Sequence, residues 1–361
     1  MNQNTGRLHN QGVSIWLDNI TRKMLDDGIL ESYINELSVT GLTSNPSIFE
    51  AAIAKTDNYD EAISKINEPG LTDEELFFTL AIEDIRRAAV LFLPVYEKTN
   101  GLDGFVSIEV SPLLAYDTEN TINAAKEIHR KVNCPNVFIK IPGTPQGLPA
   151  IEKAIAEGIP VNVTLLFSAE QYMAASMAYL KGIETRVEKG LNPDVRSVAS
   201  VFVSRWDKAV ADMVPLDFQN RLGIAVMEKT YYAYLQFLRS ERVHRVMNTG
   251  VFPQRLLWAS TGTKDPAASD ILYVKNLVAP YTVNTIPENT LLAFADHGET
   301  GKPLSGDLES AEKMIKQIET YSVNYHHLAA QLQHEGAEAF NKSWKNLTES
   351  IAVKRNIIKK G

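Results

Sequence analysis

A single lysine interrupts an apolar segment whose length and branching are typical of a buried parallel strand. Lys140 is the only charged residue in the segment 137–141 (VFIKI). Taking an ammonium group out of water is costly, so a buried lysine either contacts a partner or loses its proton. A neutral amine is a nucleophile that forms Schiff bases with carbonyl compounds. The alternative is a lysine at the strand end that extends its charged group to solvent.

Two more polar residues occur in similar apolar segments. Glu109 lies in 105–110 (FVSIEV), and Thr164 lies in 161–167 (VNVTLLF). Because side chains alternate between the two faces of a strand, Glu109, Lys140 and Thr164 all point away from the face that would meet helices. A carboxylate, an amine and a hydroxyl near the carboxyl ends of neighbouring strands could relay protons. The structural alternatives are a buried Glu109–Lys140 salt bridge and a threonine that only favours the strand.

Asp18 and Asn45 each follow an apolar segment. Asp18 ends 14–18 (SIWLD), and Asn45 lies in 43–47 (TSNPS). Both residue types commonly cap helix N-termini, and that is the simplest interpretation of each position by itself.

Eight short apolar segments alternate with longer amphipathic ones. The segments predicted as strands are 13–17, 39–42, 105–110, 137–141, 161–167, 197–203, 255–259 and 281–286. The clearest predicted helices are 73–96, 118–132, 146–157, 169–187 and 209–238. Eight strand–helix alternations predict an α/β fold, a closed (β/α)8 TIM-type barrel over about residues 13–300. Extra helices are expected in the long connections between strands two and three and between strands six and seven.

The pattern after residue 300 is helical only. The segments 308–324, 325–341 and 340–358 have the polar faces and apolar stripes of surface helices. We expect them to pack on the barrel as a C-terminal helical tail, so that residues 1–361 form a single domain.

Composition and charge exclude several classes of function. The chain of 361 residues has a net charge of −8 and no basic cluster, which argues against a nucleic-acid surface. Its one cysteine, Cys134, excludes an intramolecular disulfide and a multi-cysteine metal site. The N-terminal segment is polar, and no apolar run reaches the ~18 residues of a membrane span. We therefore expect a cytoplasmic protein without a metal.

Six segments together resemble transaldolase. They are 16–18 (WLD), 41–47 (GLTSNPS), 107–110 (SIEV), 138–142 (FIKIP), 161–168 (VNVTLLFS) and 197–205 (SVASVFVSR). The second and fifth are the most specific, and 258–262 and 280–296 resemble the longer bacterial form of the family. The resemblance implies a (β/α)8 barrel that needs neither a metal nor an organic cofactor. It also implies transfer of a dihydroxyacetone unit from a ketose phosphate to an aldose phosphate in the non-oxidative pentose phosphate pathway.

The resemblance assigns chemical roles by position. Lys140 resembles the Schiff-base lysine, and Asp18 resembles the acid/base whose action on a substrate hydroxyl cleaves the carbon–carbon bond. Glu109 and Thr164 resemble the pair that holds a catalytic water. We expect Glu109 to reach Lys140 through a water rather than by direct contact, because a permanent ion pair would leave the lysine charged and inert.

The resemblance also implies residues that bind the substrate. Asn45 and Ser200 resemble hydrogen-bond partners of the dihydroxyacetone unit or of the lysine adduct, and Phe202 resembles an aromatic wall. Arg205 resembles a phosphate ligand, a role that suits its bidentate fork.

The sequence departs from the family pattern after the seventh strand. The short form has Ser-x-Arg there, whereas this chain has Ser260 followed by Lys264. Ser260 aligns with the serine, and Lys264 takes the place of the arginine as a phosphate ligand. The alternative is an exposed turn lysine.

Two other functions are compatible with these residues. One is a class I fructose-6-phosphate aldolase, which releases dihydroxyacetone; aldolases of this superfamily lack the Glu109-type carboxylate, so Glu109 favours transfer. The other is a non-catalytic barrel that binds phosphorylated sugars. A homo-oligomer is compatible with either.

Overall fold

The computed structural model describes residues 1–66 and 70–358. Eight parallel strands pair in sequence order, and the eighth pairs with the first, which closes a barrel. The strands are β1 (Val13–Leu17), β2 (Val39–Thr43), β3 (Val106–Glu109), β4 (Val137–Pro142), β5 (Val161–Leu166), β6 (Ser197–Phe202), β7 (Arg255–Ala259) and β8 (Thr282–Ile286). Almost every strand residue is buried, because the helices cover one face and the barrel interior the other. The predicted barrel is confirmed.

Helices surround the barrel. They are α1 (Gln3–Asn10), α2 (Arg22–Asp26), α3 (Ile29–Glu36), α4 (Pro46–Lys55), α5 (Asp60–Lys65), α6 (Asp73–Lys98), α7 (Thr118–Val132), α8 (Gly147–Ala156), α9 (Ala169–Glu188), α10 (Ser204–Val210), α11 (Leu222–Arg239), α12 (Glu241–Met247), α13 (Leu272–Asn276), α14 (Glu288–His297), α15 (Leu308–Glu319) and α16 (Tyr325–Ile358). Extra helices lie between β2 and β3 and between β6 and β7, as predicted. The sequence signal was strong for α6, since Thr72 and Glu75 form a capping box at its start.

The predicted helix 209–238 is wrong. Its residues divide between α10, which ends at Val210, and α11, which begins at Leu222. Pro215 cannot donate the backbone hydrogen bond that a continuous helix needs, and Asn220 is left-handed with φ +59°. The polar helix α1 was not predicted.

The C-terminal tail also differs from the prediction. Segments 325–341 and 340–358 form one continuous helix, α16, and α15 ends at Glu319 rather than at residue 324. No proline interrupts α16, and a continuous buried stripe that includes Leu332, Phe340 and Leu347 supports it as one unit. The helix packs mainly against α4 and also contacts α6 and β5.

Buried side chains fill the amino end of the barrel interior. At the amino end, the buried guanidinium of Arg255 donates to the Thr282 carbonyl (3.0 Å) and to Ser14 Oγ (2.6 Å). Trp16 stacks on Phe138 in the next layer, with ring centroids 6.1 Å apart. The charged and hydroxyl side chains of the predicted site lie nearer the carboxyl end of the barrel.

Candidate active site

A cavity of about 660 Å³ opens at the carboxyl end of the barrel. Nine of the ten site residues predicted from the sequence line it; they are Asp18, Asn45, Lys140, Thr164, Ser200, Phe202, Arg205, Ser260 and Lys264. The tenth, Glu109, is buried behind the Lys140 side chain. The carboxyl ends of parallel barrel strands meet at this face, so residues distant in sequence converge here.

Lys140 projects from β4 and is only 5% exposed. Its Nζ donates to the Ser44 carbonyl (2.9 Å) and lies 3.2 Å from Glu109 Oε2. The predicted water-mediated contact is therefore wrong, since 3.2 Å leaves no space for an intervening molecule. The cause is strand register: Glu109 on β3 lies directly beside Lys140 on β4, which sequence periodicity alone does not determine.

The surroundings of Glu109 favour its neutral form. Burial raises the pKa of Glu109, and the nearby charge of Lys140 only partly opposes this. Within residues 1–66 and 70–358, both Glu109 carboxylate oxygens and Thr164 Oγ1 are buried and make no hydrogen bond. Apart from the ion pair of Glu109 Oε2 with Lys140, these three atoms have no polar partner among those residues, which is costly unless a ligand satisfies them.

Asp18 is positioned by hydroxyl groups rather than by a helix. Its Oδ1 accepts from Thr43 Oγ1 (3.0 Å), and the Thr43 hydroxyl also lies 2.5 Å from Thr285 Oγ1. The N-cap of α2 is Thr21, so the interpretation of Asp18 as a helix cap is wrong. Burial raises the pKa of Asp18, whereas the Lys140 charge and the Thr43 hydrogen bond lower it. A carboxyl group in such an environment can both take and return a proton.

Asn45 both caps a helix and lines the cavity. Its Oδ1 accepts from Ile48 N (3.2 Å) and so caps α4, while the side chain also lines the cavity. The glycine two strand positions before Thr43 is required for packing: a Cβ at Gly41 would lie 2.5 Å from Trp16 Nε1. The 41–47 segment thus places Asn45 against the barrel mouth.

A hydrogen-bond chain crosses the interior below the cavity. Ser200 Oγ donates to Asn162 Oδ1 (2.7 Å), and Asn162 Nδ2 donates to Ser107 Oγ (3.1 Å). Above this chain, β5 is irregular: its register shifts between Val163 and Leu166, and Leu165 has φ +59°. Such bulges redirect side chains near functional sites, and here the bulge follows Thr164.

Two cations lie together at the other end of the cavity. Burial lowers the pKa of Arg205, whose guanidinium carbon lies 5.8 Å from the Phe202 ring centroid. Lys264 is exposed, but partial desolvation at the cavity lowers its pKa, and the positive charge of Arg205 lowers it further. Ser260 lies nearby, with its Oγ 2.9 Å from Ser204 Oγ. A dianionic group bound here would relieve the repulsion between the two cations.

Several residues of the cavity wall were not predicted from the sequence, among them Thr43, Thr285 and Phe340. Thr43 lies within the 41–47 segment, and Thr285 is a polar residue in an apolar strand, the same signal that identified Thr164. Phe340 comes from α16 and carries no sequence signal for this position.

The chain matches the family model described as transaldolase/fructose-6-phosphate aldolase over residues 15–351. It is 43% identical to "Transaldolase 2" of Streptomyces coelicolor over 353 residues, 95% of each chain. It is 42% identical to "Transaldolase" of Mycolicibacterium smegmatis over 368 residues, 99% of each chain. It is 44% identical to "Transaldolase 1" of Streptomyces avermitilis over 360 residues, 97% of this chain and 95% of the relative. The chain therefore belongs to the transaldolase/fructose-6-phosphate aldolase family.

Proposed function

We infer that the chain is a transaldolase, which moves a dihydroxyacetone unit between phosphorylated sugars through an imine on Lys140. The donor is sedoheptulose 7-phosphate or fructose 6-phosphate, and the acceptor is glyceraldehyde 3-phosphate or erythrose 4-phosphate. Relatives named transaldolase match almost the whole chain. The observation that carries the mechanism is the buried amine of Lys140 in a cavity that Arg205 and Lys264 also line.

The first step in this mechanism is attack of the Lys140 amine on the ketone carbon of the donor. Loss of water gives an iminium ion at C2 of the sugar, which accepts the electrons of the C3–C4 bond. Asp18 removes the proton of the hydroxyl on the far carbon of that bond. The bond breaks, an aldehyde leaves, and a three-carbon enamine stays on Lys140. The raised pKa of Asp18 suits a group that later returns this proton to the new product.

Glu109 and Thr164 serve the formation and hydrolysis of the imine. Both steps move protons between the amine, the substrate oxygen and a water molecule. Glu109 Oε1 and Thr164 Oγ1, which make no hydrogen bond in the described part of the chain, support a water site there, and the 3.2 Å contact of Glu109 Oε2 supports direct proton exchange with the amine. Glu109 thus acts on the amine itself in addition to the water.

Arg205 and Lys264 bind the phosphate of either sugar. Arg205 supplies a planar fork and Lys264 a point charge. Asn45 and Ser200 are placed to hydrogen-bond the hydroxyl groups of the three-carbon unit, and Phe202 forms an apolar wall beside it.

The alternative activity is fructose-6-phosphate aldolase. Incubation of the enzyme with fructose 6-phosphate, with and without erythrose 4-phosphate, separates the two. A transaldolase forms sedoheptulose 7-phosphate rapidly when the acceptor is present and releases little free dihydroxyacetone without it. Equal dihydroxyacetone release in both incubations would assign the aldolase activity instead. A non-catalytic sugar-phosphate binder would turn over in neither.

We also propose that the barrel and its tail form one domain and that the protein is cytoplasmic. Its single cysteine cannot form an intramolecular disulfide, which is typical of proteins in a reducing compartment. Packing of α16 across α4 and β5 supports the single domain. In the part of the chain that the structure describes, no helix is long and apolar enough to cross a bilayer. A homo-oligomer stays a prediction, which light scattering after size exclusion tests.

A further inference from the structure

The C-terminal helix contributes a side chain to the cavity. Phe340 on α16 lines it, and the centroid of its ring lies 6.0 Å from Lys140 Nζ. The residue is 6% exposed, so the ring fills space between the helix and the barrel mouth. An element far from the strand residues in sequence therefore encloses the amine.

Contacts on both sides of Phe340 fix α16 over the barrel mouth. Gln333 Nε2 donates to the carbonyls of Gly143 (3.1 Å) and Leu165 (2.8 Å). These carbonyls belong to the ends of β4 and β5, the strands that carry Lys140 and Thr164. On the other side, Ser343 Oγ lies 2.8 Å from Ser47 Oγ. The helix is thus attached to the cavity wall itself.

The enamine of the proposed mechanism has two fates. In transfer, its nucleophilic carbon attacks the acceptor aldehyde, a new carbon–carbon bond forms, and the aldehyde oxygen takes a proton. In release, the same carbon takes a proton from water, and the electron pair of the carbon–carbon double bond becomes a C–H bond, which regenerates an iminium ion. Water then adds to the iminium carbon, the carbon–nitrogen bond breaks, and dihydroxyacetone leaves with the Lys140 amine restored. Transfer also ends when water hydrolyses the iminium ion of the new ketose, so the two fates differ in their use of water only in that release takes a proton from water at the enamine carbon.

We propose that Phe340 determines the choice between transfer and release, because its ring closes the cavity above Lys140 and keeps water from the enamine. This proposal rests on the proposed function. Excluding water from a reactive intermediate suppresses its hydrolysis. The face of an aromatic ring also attracts a nearby cation, so the same ring favours the iminium ion that precedes the enamine.

Other buried residues of α16 provide a matched control. Leu347 is fully buried on the same helix but does not line the cavity. Leu347→Ala removes apolar packing from α16 but leaves the cavity closed. Phe340→Ala removes apolar packing and also opens the cavity. Phe340→Leu keeps an apolar side chain at the position and tests rescue.

The experiment measures dihydroxyacetone released against sedoheptulose 7-phosphate formed from fructose 6-phosphate and erythrose 4-phosphate. Circular dichroism and thermal melting of each variant accompany it. We expect the release-to-transfer ratio of Phe340→Ala to rise about tenfold, a change of ~1.4 kcal/mol in relative barrier height. Leu347→Ala should lower the melting temperature and leave the ratio unchanged, and Phe340→Leu should stay near the wild-type ratio.

Two results would overturn the proposal for Phe340. One is a folded Phe340→Ala with the wild-type ratio. The other is an equal rise in Leu347→Ala, which would assign the effect to general loosening of α16. Failure of the proposed function would look different, because the wild-type enzyme itself would then form no sedoheptulose 7-phosphate.

Discussion

Lys140 Nζ lies 3.2 Å from Glu109 Oε2, and both side chains are almost fully buried. A buried ion pair recovers little of the cost of desolvating two charges, so this pair is not a source of stability. Burial raises the pKa of Glu109, so its carboxylate binds a proton more strongly than an exposed carboxylate does. In the proposed mechanism this contact is the route by which the amine becomes a nucleophile.

Replacement of Glu109 by Gln tests this route. The amide keeps the shape of the side chain but cannot take a proton from Lys140, so formation of the imine should slow. We expect kcat to fall on the order of a hundredfold, as for loss of a general base. Steady-state rates with saturating fructose 6-phosphate and erythrose 4-phosphate measure it. Glu170→Gln, which removes an ion pair with Lys229 outside the cavity, is the control; unchanged kcat in Glu109→Gln would refute the proton route.

Arg205 should contribute mainly to binding. Arg205→Ala removes charge-assisted hydrogen bonds to phosphate, each worth about 1.5–3 kcal/mol, so KM should rise roughly ten- to hundredfold with a smaller change in kcat. Lys264→Ala should raise KM less, because its side chain is exposed and better screened by solvent. Unphosphorylated fructose as donor is the control, since its KM should not depend on either residue. A fall in kcat without a change in KM would remove Arg205 from the phosphate site.

Asp207 should make stability depend on pH. It accepts from Gly223 N and from the Tyr273 hydroxyl, which ties α10 to α11 and α13. Burial raises its pKa from 3.8 to about 6, so the folded chain binds this proton more tightly than the unfolded chain. The contribution of Asp207 to the free energy of unfolding is therefore full below its ordinary pKa and falls as pH rises through about 6.

Asp207→Asn removes this pH-dependent loss of stability, because an amide does not ionise. The variant should exceed the wild type in free energy of unfolding by about 2–3 kcal/mol at pH 8, and the difference should shrink towards pH 4. Urea titrations at the two pH values measure it, with the exposed Asp212→Asn as control. A difference that is the same at both pH values would show that Asp207 does not titrate in this range.

Local sequence pattern was sufficient to predict the strands and the polar residues within them. Short apolar segments identified the eight strands, and polar residues within them identified Lys140 and Thr164. Pattern failed where the outcome depends on distant parts of the chain. The direct contact of Glu109 with Lys140 depends on strand register, and the position of Phe340 depends on how α16 packs across the barrel. The helix predicted over residues 209–238 is wrong because Pro215 interrupts an otherwise helical periodicity.

Reductive trapping detects the proposed imine on Lys140 itself. The enzyme is mixed with fructose 6-phosphate, reduced with borohydride, digested and analysed by mass spectrometry, with Lys140→Arg treated in parallel. We predict a stable three-carbon or sugar adduct on the peptide that contains Lys140, loss of activity in proportion to labelling, and no adduct in Lys140→Arg. An unmodified Lys140 peptide, or an adduct on another lysine, would contradict the account.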